Sequence, residues 1–485
     1  MGLLDIFRTK KHAPRRRGFD GAAGSRLFND FLASSRSADG ELRYSLKTLR
    51  ERARELSRNN DYARRYIQLL LTNVIGPDGI GFQNRARDDS FALDQTANNA
   101  IESRWRDWGR QGVCTVDGRM TWLDAQRLFM ETMARDGEVL VRLVRGWKDN
   151  EYGFAIQFVE ADLLNEENNA ERADGSAIRM GVETDRYGKP VAYHMATKHP
   201  GDDPQGFTPS GSERVDARDM LHIFKIERAG QSRGIPPLAV AMTDLQMLGK
   251  YLEAELVASR ISASKMGFYT SAAEYAGDDV EDTHNPVTEI APGSFEKLEP
   301  GLTFTSFDPQ HPTSQFEMFV KQTLRAISSG LGVSYISLAN DLEGVNYSSI
   351  RQGALDERDH YRTMQRFTID HFCAPIYRAW LEMALFSDTL NLPAAKLEKF
   401  HRPIWRPRGW QWVDPLKETN ALVVQMQNGI STYQDALGHY GRDVEEQFEQ
   451  LERERELAAA KGIDLAFQPF GGSRKEEVED VRPEE

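Results

Sequence analysis

The sequence predicts a mostly helical α+β fold, on three observations. Long stretches place apolar residues at three- and four-residue steps. A block between about 139 and 226 instead holds short runs of β-branched and aromatic residues. Proline and glycine pairs then punctuate a segment near 267–312 that fits neither period. At roughly 150 residues per domain, 485 residues allow about three domains, or one core with large excursions. Hydrophobic residues are 40% of the chain and charged residues 28%, a globular balance.

Residues 1–40 are rich in Arg, Gly and Ser and read as a flexible basic arm with one short helix near Phe28. From Glu41 to Asn73 the pattern is helical and stops before Gly76-Pro77. Residues 91–109 read as a further helix, with Trp105 and Trp108 on one face, and 122–136 as another. Strands follow at Val139–Val144, Phe154–Leu164 and Met220–Ile226, with a hairpin over 178–197 turning at Asp185-Arg186-Tyr187-Gly188. Residues 41–235 thus form one α+β domain.

Pro236 and Pro237 suit the opening of a helix, where a missing N–H costs least. Leu238, Met242, Leu245, Leu248, Leu252 and Leu256 extend it over 236–266. Residues 267–312 read as a compact insertion of short strands and turns. A second helix starts at Ser314, which with Glu317 forms a capping box, and ends at Gly330 and Gly332. Residues 332–346 read as a loop, and 347–386 as a long helix that Pro375 should kink or break. Three short helices follow the Trp- and Pro-rich 405–412. Asp414-Pro415 opens the first, Ser431 with Gln434 caps the second, and Asp443 with Glu446 caps the third, which ends at Gly462.

Charge and composition exclude several classes. The 61 bases against 74 acids give a net charge of −13, unlike a simple cationic nucleic-acid binder. The ends differ: residues 1–20 carry six bases against two acids, and 445–485 carry thirteen acids against six bases. Residues 463–485 read as an acidic flexible tail. Two cysteines, Cys114 and Cys373, make neither a disulfide framework nor a thiolate metal cluster. No stretch of about 20 apolar residues suggests a membrane anchor. There is no phosphate-binding G-x-x-x-x-G-K-[ST], no H-E-x-x-H, no EF-hand loop and no G-x-S-x-G. His360 and His371, with Asp356, allow a metal pair or a polar helix face. Asp341 and Glu343 allow a metal or acid–base site or a solvated loop. The tryptophans allow base stacking or packing.

Several segments stand out in order. They are Arg58-Asn59-Asn60-Asp61-Tyr62-Ala63 leading to Asn73-Val74-Ile75-Gly76-Pro77-Asp78-Gly79-Ile80; Arg135-Asp136-Gly137-Glu138; and Gly181–Asp185 leading to Ala192-Tyr193-His194. His222-Ile223-Phe224 then runs into Gly230–Pro236, Gly330–Tyr335 precedes Asn346–Arg351, and Val413-Asp414-Pro415 opens the last helices. Together, over roughly residues 40–462, they resemble the lambda family of phage portal proteins.

The resemblance implies a portal architecture of wing, stem, clip, tunnel loop and crown, in a dodecameric ring at one capsid vertex. Double-stranded DNA would be packaged and later ejected through the ring, without sequence preference. Residues 41–235 would be the wing, 236–266 and 313–331 the two stem helices, and 267–312 the clip. Residues 332–346 would be the tunnel loop, 347–413 the long wing helix and its return, and 414–462 the crown. The implied partners are the terminase large subunit, then the head-completion or tail connector proteins, and the major capsid or scaffolding protein. No enzymatic activity and no cofactor are implied, and the location would be the virion, after assembly in the host cytoplasm. Tunnel-loop candidates are Ser337, Asn340, Asp341, Glu343 and Asn346. Channel-facing stem candidates are Lys321 and Arg325, one turn apart, with salt bridging between subunits as their other reading. The alternative function is a DNA-processing or metal-dependent enzyme using Asp341, Glu343 or His360.

Overall fold

In the computed structural model the described residues are 35–202, 211–263, 267–271, 302–306, 315–343, 347–410, 415–438, 442 and 444–463. Residues 1–34 of the basic arm, with its short helix near Phe28, most of the 267–312 insertion and residues 464–485 of the acidic tail therefore lie outside them; residues 38–40, expected within the flexible arm, are instead helical, with Ala38 buried.

The helical run expected from Glu41 to Asn73 is three helices: α1 (Ala38–Leu42), α2 (Leu46–Asn59) and α3 (Asp61–Leu70). Asn60 makes the sharper break. Its backbone is extended, and its side chain accepts the Ala63 N–H at 3.0 Å, capping α3. The chain then widens into a π-helical turn, Leu71–Ile75, and leaves it at Gly76, φ 78°. Strand β1 (Gly81–Asn84) follows, then α4 (Gln95–Trp108), capped by Asp94, and α5 (Trp122–Asp136), opened by a Thr121–Asp124 capping box and closed at Gly137.

Two antiparallel sheets come next. Strands β2 (Glu138–Arg145), β3 (Phe154–Val159), β4 (Ala170–Glu171), β5 (Ala177–Arg179), β6 (Val182–Thr184), β7 (Pro190–Ala196), β8 (Ser212–Asp216) and β9 (Met220–Phe224) pair in the orders β3-β2-β9 and β4-β5-β6-β7-β8. The β6–β7 hairpin turns at Asp185–Lys189, where the sequence places it. Alternation along β2 divides the core. Val139, Val141 and Leu143 face the helices, while Leu140 joins Val182, Tyr193, Met195 and Val215 between the two sheets. With both faces covered over its first half, β2 reads as the apolar run Val139-Leu140-Val141 rather than an alternation, until Arg142 pairs with Glu213 at 2.7 Å.

A short 3-10 turn, Pro237–Val240, leads into α6 (Met242–Ala263). Strands β10 (Gly267–Ser271) and β11 (Leu302–Ser306) pair antiparallel, joining α6 to α7 (Phe316–Leu331) through a two-stranded ribbon. Ser314 of the expected capping box lies outside the described residues, and the Glu317 carboxylate accepts from Lys321. Residues 335–339, expected as loop, form a short helix, α8 (Tyr335–Ala339). The long helix is α9 (Tyr347–Thr368), a π-helical turn at Ile369–Cys373, and α10 (Ala374–Phe386). Pro375 lacks the N–H that would bond back to His371. The widened turn accommodates the gap and the helix resumes rather than ends.

The chain returns through α11 (Leu397–Phe400) and β12 (Pro403–Arg406), which pairs with β1, and reaches α12 (Pro415–Gln427), α13 (Tyr433–Gly438) and α14 (Val444–Ala460). The cap of α13 is Thr432 with Asp435, not Ser431 with Gln434. Asp443 lies outside the described residues. Trp105 and Trp108, stacked at 4.8 Å, join Trp122, Phe372, Tyr377 and Trp380 in one buried aromatic cluster, so both are packing anchors.

Candidate functional site

Helices α6 and α7 and the segment after α7 form the first candidate region. Tyr251 on α6 meets Phe316 and Phe319 on α7, with ring centroids 5.8 and 5.1 Å apart. Both helices also keep apolar side chains in solvent: Met247, Leu256 and Val257 on α6, Met318 and Phe319 on α7, each at least half exposed. Apolar residues on more than one side of a helix mark a surface that a further chain covers.

Helix α7 ends at Gly332, φ 70°, whose N–H reaches Ser328 and Ser329; the chain then folds back onto α9. Ser334 caps α8 by accepting the Ser337 N–H at 3.1 Å. The Glu357 carboxylate of α9 accepts from the Ser337 hydroxyl at 2.7 Å, the Ser334 N–H at 3.2 Å and the Tyr361 hydroxyl at 2.8 Å. Leu338 is buried beneath this turn. Ser337 is thus an anchor. Asn340 sits in the left-handed region, φ 53°, as the helix C-cap, a place its short polar side chain tolerates. Past it, Leu342 and Glu343 are exposed, and Asn346 lies outside the described residues.

Lys321, Asp341 and Glu343 come together. The Lys321 ammonium lies 2.5 Å from Glu317, 3.3 Å from Glu343 and 3.8 Å from Asp341, and these carboxylates raise its pKa above the ordinary lysine value. Asp341 accepts the Tyr335 hydroxyl at 2.7 Å, which holds its carboxyl below the usual range, while burial first and this bond second push Tyr335 up to about 12. Arg325 stands over the Tyr335 ring at 5.4 Å. Acids of the same chain neutralise Lys321, so one protomer offers a balanced cluster rather than a free cation.

Sequence reasoning missed a second region, where the α+β domain meets α6. Glu138 and Arg233 are both fully buried. The Glu138 carboxylate accepts from Arg233 Nη2 at 2.6 Å and Nε at 2.9 Å, from His222 Nε2 at 3.0 Å, from the Gly234 N–H at 3.1 Å and from Arg50 Nη1 at 3.3 Å. Arg50 continues to Glu166 at 2.5 Å and Asp162 at 3.0 Å. Burial opposes the Glu138 charge, yet the arginines and His222 hold its carboxyl far below the usual range. His222 is lowered, chiefly by burial. Two glycines permit the approach. A Cβ on Gly137, φ 79°, would lie 2.2 Å from the Ile235 carbonyl, and one on Gly234 2.2 Å from the Gly137 oxygen. The available signal was an acid directly after a glycine at the head of an apolar strand, and an arginine directly before one.

The metal readings find no cluster around Asp341 or His360. Among the described residues only Glu160, Asp162 and His199 bring three such ligand atoms together. Asp162 is already paired with Arg50 and Arg54 there. His360 packs under Gly332, and His371 lies beside Phe367 at 4.5 Å. Cys114 and Cys373 are buried and free. No helix among the described residues is long and apolar enough to cross a membrane.

Comparison with known proteins matches residues 24–365 to the family described as phage portal protein, lambda family. The probable portal protein of Halomonas phage phiHAP-1 is 35% identical, with 98% of this chain and 93% of that protein covered. Portal protein B of Escherichia phage lambda is 24% identical, covering 88% of this chain and 87% of the relative, and the portal protein of Escherichia phage N15 is 23% identical over 88% of each. Among solved structures, a chain from the virion of a native gene transfer agent particle superposes with TM-score 0.43 at 13% identity, covering 84% of this chain and 96% of that one. Across 70-odd percent of its length and by its more similar relatives, the chain belongs to the lambda family of phage portal proteins.

Proposed function

We propose that copies of this chain close into a ring, of twelve in the family pattern, at one capsid vertex, and that double-stranded DNA enters and later leaves through it. Portal proteins are structural components and not enzymes. The observation that carries the ring is the exposed apolar surface on α6 and α7. Met247, Leu256, Val257, Met318 and Phe319 stay in solvent although the two helices already pack on each other. In a ring the exposed α6 side chains of one copy meet the exposed α7 side chains of the next, and such head-to-tail contacts close or polymerise.

In this reading α6 and α7 are the stem, and 267–312, which begins and ends in the β10–β11 ribbon, is the clip that docks the terminase large subunit and then the connector proteins. Residues 41–235 are the wing, 347–413 the wing crossing and return, and 414–462 the crown. Residues 332–346 are the tunnel loop, with α8 as its fixed base and Asp341, Leu342 and Glu343 toward its tip. A capsid or scaffolding contact is expected on the outside of the ring. In the assembled stem, Lys321 and Arg325 alternate with acids around the channel, so DNA meets a mixed lining and slides rather than binds. Native mass spectrometry and negative-stain images test the proposal: a closed ring with a central pore is expected, and only monomer at micromolar concentration overturns it.

A further inference from the structure

One motif of the sequence has no role in the stem or the loop: Asn73–Ile80, with its two left-handed glycines. It forms one wall of an open cleft of about 1060 Å³. The opposite wall is the return segment after β12 and one side of α9. Four arginines line the cleft, Arg127, Arg358, Arg406 and Arg408, and Asp78 is the one acid among its lining residues.

The cleft is built. Gly76 has φ 78°, and a Cβ there would press within 3.0 Å of Arg408 Cδ, so the arginine lies directly across the glycine. Its guanidinium donates to the Thr72 carbonyl and, at 3.5 Å, to the Asn73 side chain. Asn73 also accepts the Trp410 indole N–H at 3.1 Å, and the Gln365 amide ties the Asn73 and Arg408 carbonyls together at 3.1 and 3.0 Å. Arg127, across the loop, donates to the Pro77 carbonyl at 3.0 Å. Arg127 and Arg408 are therefore oriented by neutral oxygens. Carbonyls position a guanidinium without cancelling its charge, unlike the carboxylates around Arg50 or Lys321. Two preorganised cations in a cleft with one acid make a receptor for an anion, and the planar guanidinium fork matches phosphate oxygens.

We infer that this cleft binds backbone phosphates of the DNA that the ring conducts, an inference that rests on the portal reading. Duplex DNA presents such phosphates at one charge per about 1.7 Å of axis. The position favours DNA over an acidic protein. Helix α9 begins directly after the tunnel-loop segment, and Arg358 stands eleven residues along it from Tyr347. At about 1.5 Å per residue, the cleft lies about 16 Å from the channel end of that helix. Two guanidiniums per protomer, held by carbonyls and with only Asp124, itself engaged by Thr121, acting on Arg127 from one turn away, give a weak contact in one copy and a ring of contacts in the assembly.

Full-chain protein, a labelled 30-base-pair duplex and phenylglyoxal footprinting of arginines test this. The duplex should protect Arg127 and Arg408 from modification in the unsubstituted chain. R127Q/R408Q should weaken duplex binding several-fold at low salt and lower the log–log salt slope by about 2, at roughly 0.9 per phosphate contact. R186Q, on the remote β6–β7 turn, should change neither. Absent protection, or an unchanged affinity and slope, overturns the inference; because footprinting uses the unsubstituted chain, a poorly folding R408Q does not shield it. Equal protection by polyglutamate at the same ionic strength also overturns it and assigns the cleft to an acidic protein. Native mass of the same samples separates the two readings. A closed ring with an unprotected cleft refutes this inference alone, and absence of rings refutes the portal reading.

Discussion

Replacing Glu138 by Gln tests the junction between the α+β domain and α6. The carboxylate accepts from five donors on four residues, carried by three parts of the chain: Arg50 of α2, His222 of β9, and the side chain of Arg233 and the N–H of Gly234 just before α6. Gln keeps one acceptor oxygen and turns an NH2 toward donors, leaving the Arg233 guanidinium, fully buried, with only Glu166 at 3.7 Å as counter-charge. Breaking a buried pair from one side costs about 3–5 kcal/mol, against roughly 1 for an exposed pair. A chain of several parts need not unfold in two states, so the cost is read locally, from hydrogen exchange of β2 and β9 amides. At about 1.4 kcal/mol per tenfold change, E138Q and R233M should each speed exchange that proceeds through opening by about a hundredfold or more. The double variant E138M/R233M, with no charge left over from the pair, should lose clearly less than the sum of the two. Single variants whose exchange stays within about threefold of the parent would refute the clamp.

Three further outcomes follow from the geometry. G137A, whose Cβ would stand 2.2 Å from the Ile235 carbonyl, should strongly destabilise or abolish soluble protein, whereas G146A, φ 74° but in open space, should cost only about 1–2 kcal/mol in thermal or urea unfolding. Stability should fall as pH drops below about 6.5: the unfolded His222 takes up a proton that the buried, neutral side chain, facing Glu138 and Arg233, resists. H222Q should flatten that slope in urea midpoints from pH 7.5 to 5.5, while the Glu138 contribution persists over this window because its native pKa is depressed and is lost only in strong acid. Deleting 341–343 should leave rings intact in negative stain but impair DNA packaging in complementation, whereas L338D, on the buried side of α8, should disturb folding; rings lost on the short deletion would sink the tunnel-loop assignment.

The elements most legible in the sequence were those whose own residues decide them. The apolar steps of α6, the β-rich run at 139–144 and the Asp185–Gly188 turn each carry their period or turn chemistry locally, and each is present, although the helix expected from Pro236 begins only at Met242, after a 3-10 turn. The misreadings share a different cause. Residues 332–346 contain the Ser, Asn and Asp that favour turns, yet α8 forms there because Glu357, twenty residues on from Ser337, supplies acceptors for Ser337, Ser334 and their turn. The kink or break expected at Pro375 takes the form of a π-helical turn, Ile369–Cys373, after which the helix resumes. The run from Glu41 to Asn73 breaks at Asn60 because that side chain caps the next helix, which apolar spacing does not report.

The candidate sites divide along the same line. Gly137-Glu138 and Arg233-Gly234 were visible as motifs but not as partners, since 95 residues separate Glu138 from Arg233 and no periodicity links them. The two strings depend on each other: each glycine must lack a Cβ for the other loop to approach, and the buried acid and arginine neutralise one another. The consequence is mechanical. Arg233 lies only nine residues before Met242, where α6 starts, so α6 leaves the α+β domain from a point fixed by buried charge rather than from a flexible hinge. The exposed apolar side chains of α6 and α7 are then presented at one angle in every copy, and in the ring proposed for this chain that fixed angle sets the rotation between neighbours, which decides whether a head-to-tail contact closes or grows as a filament.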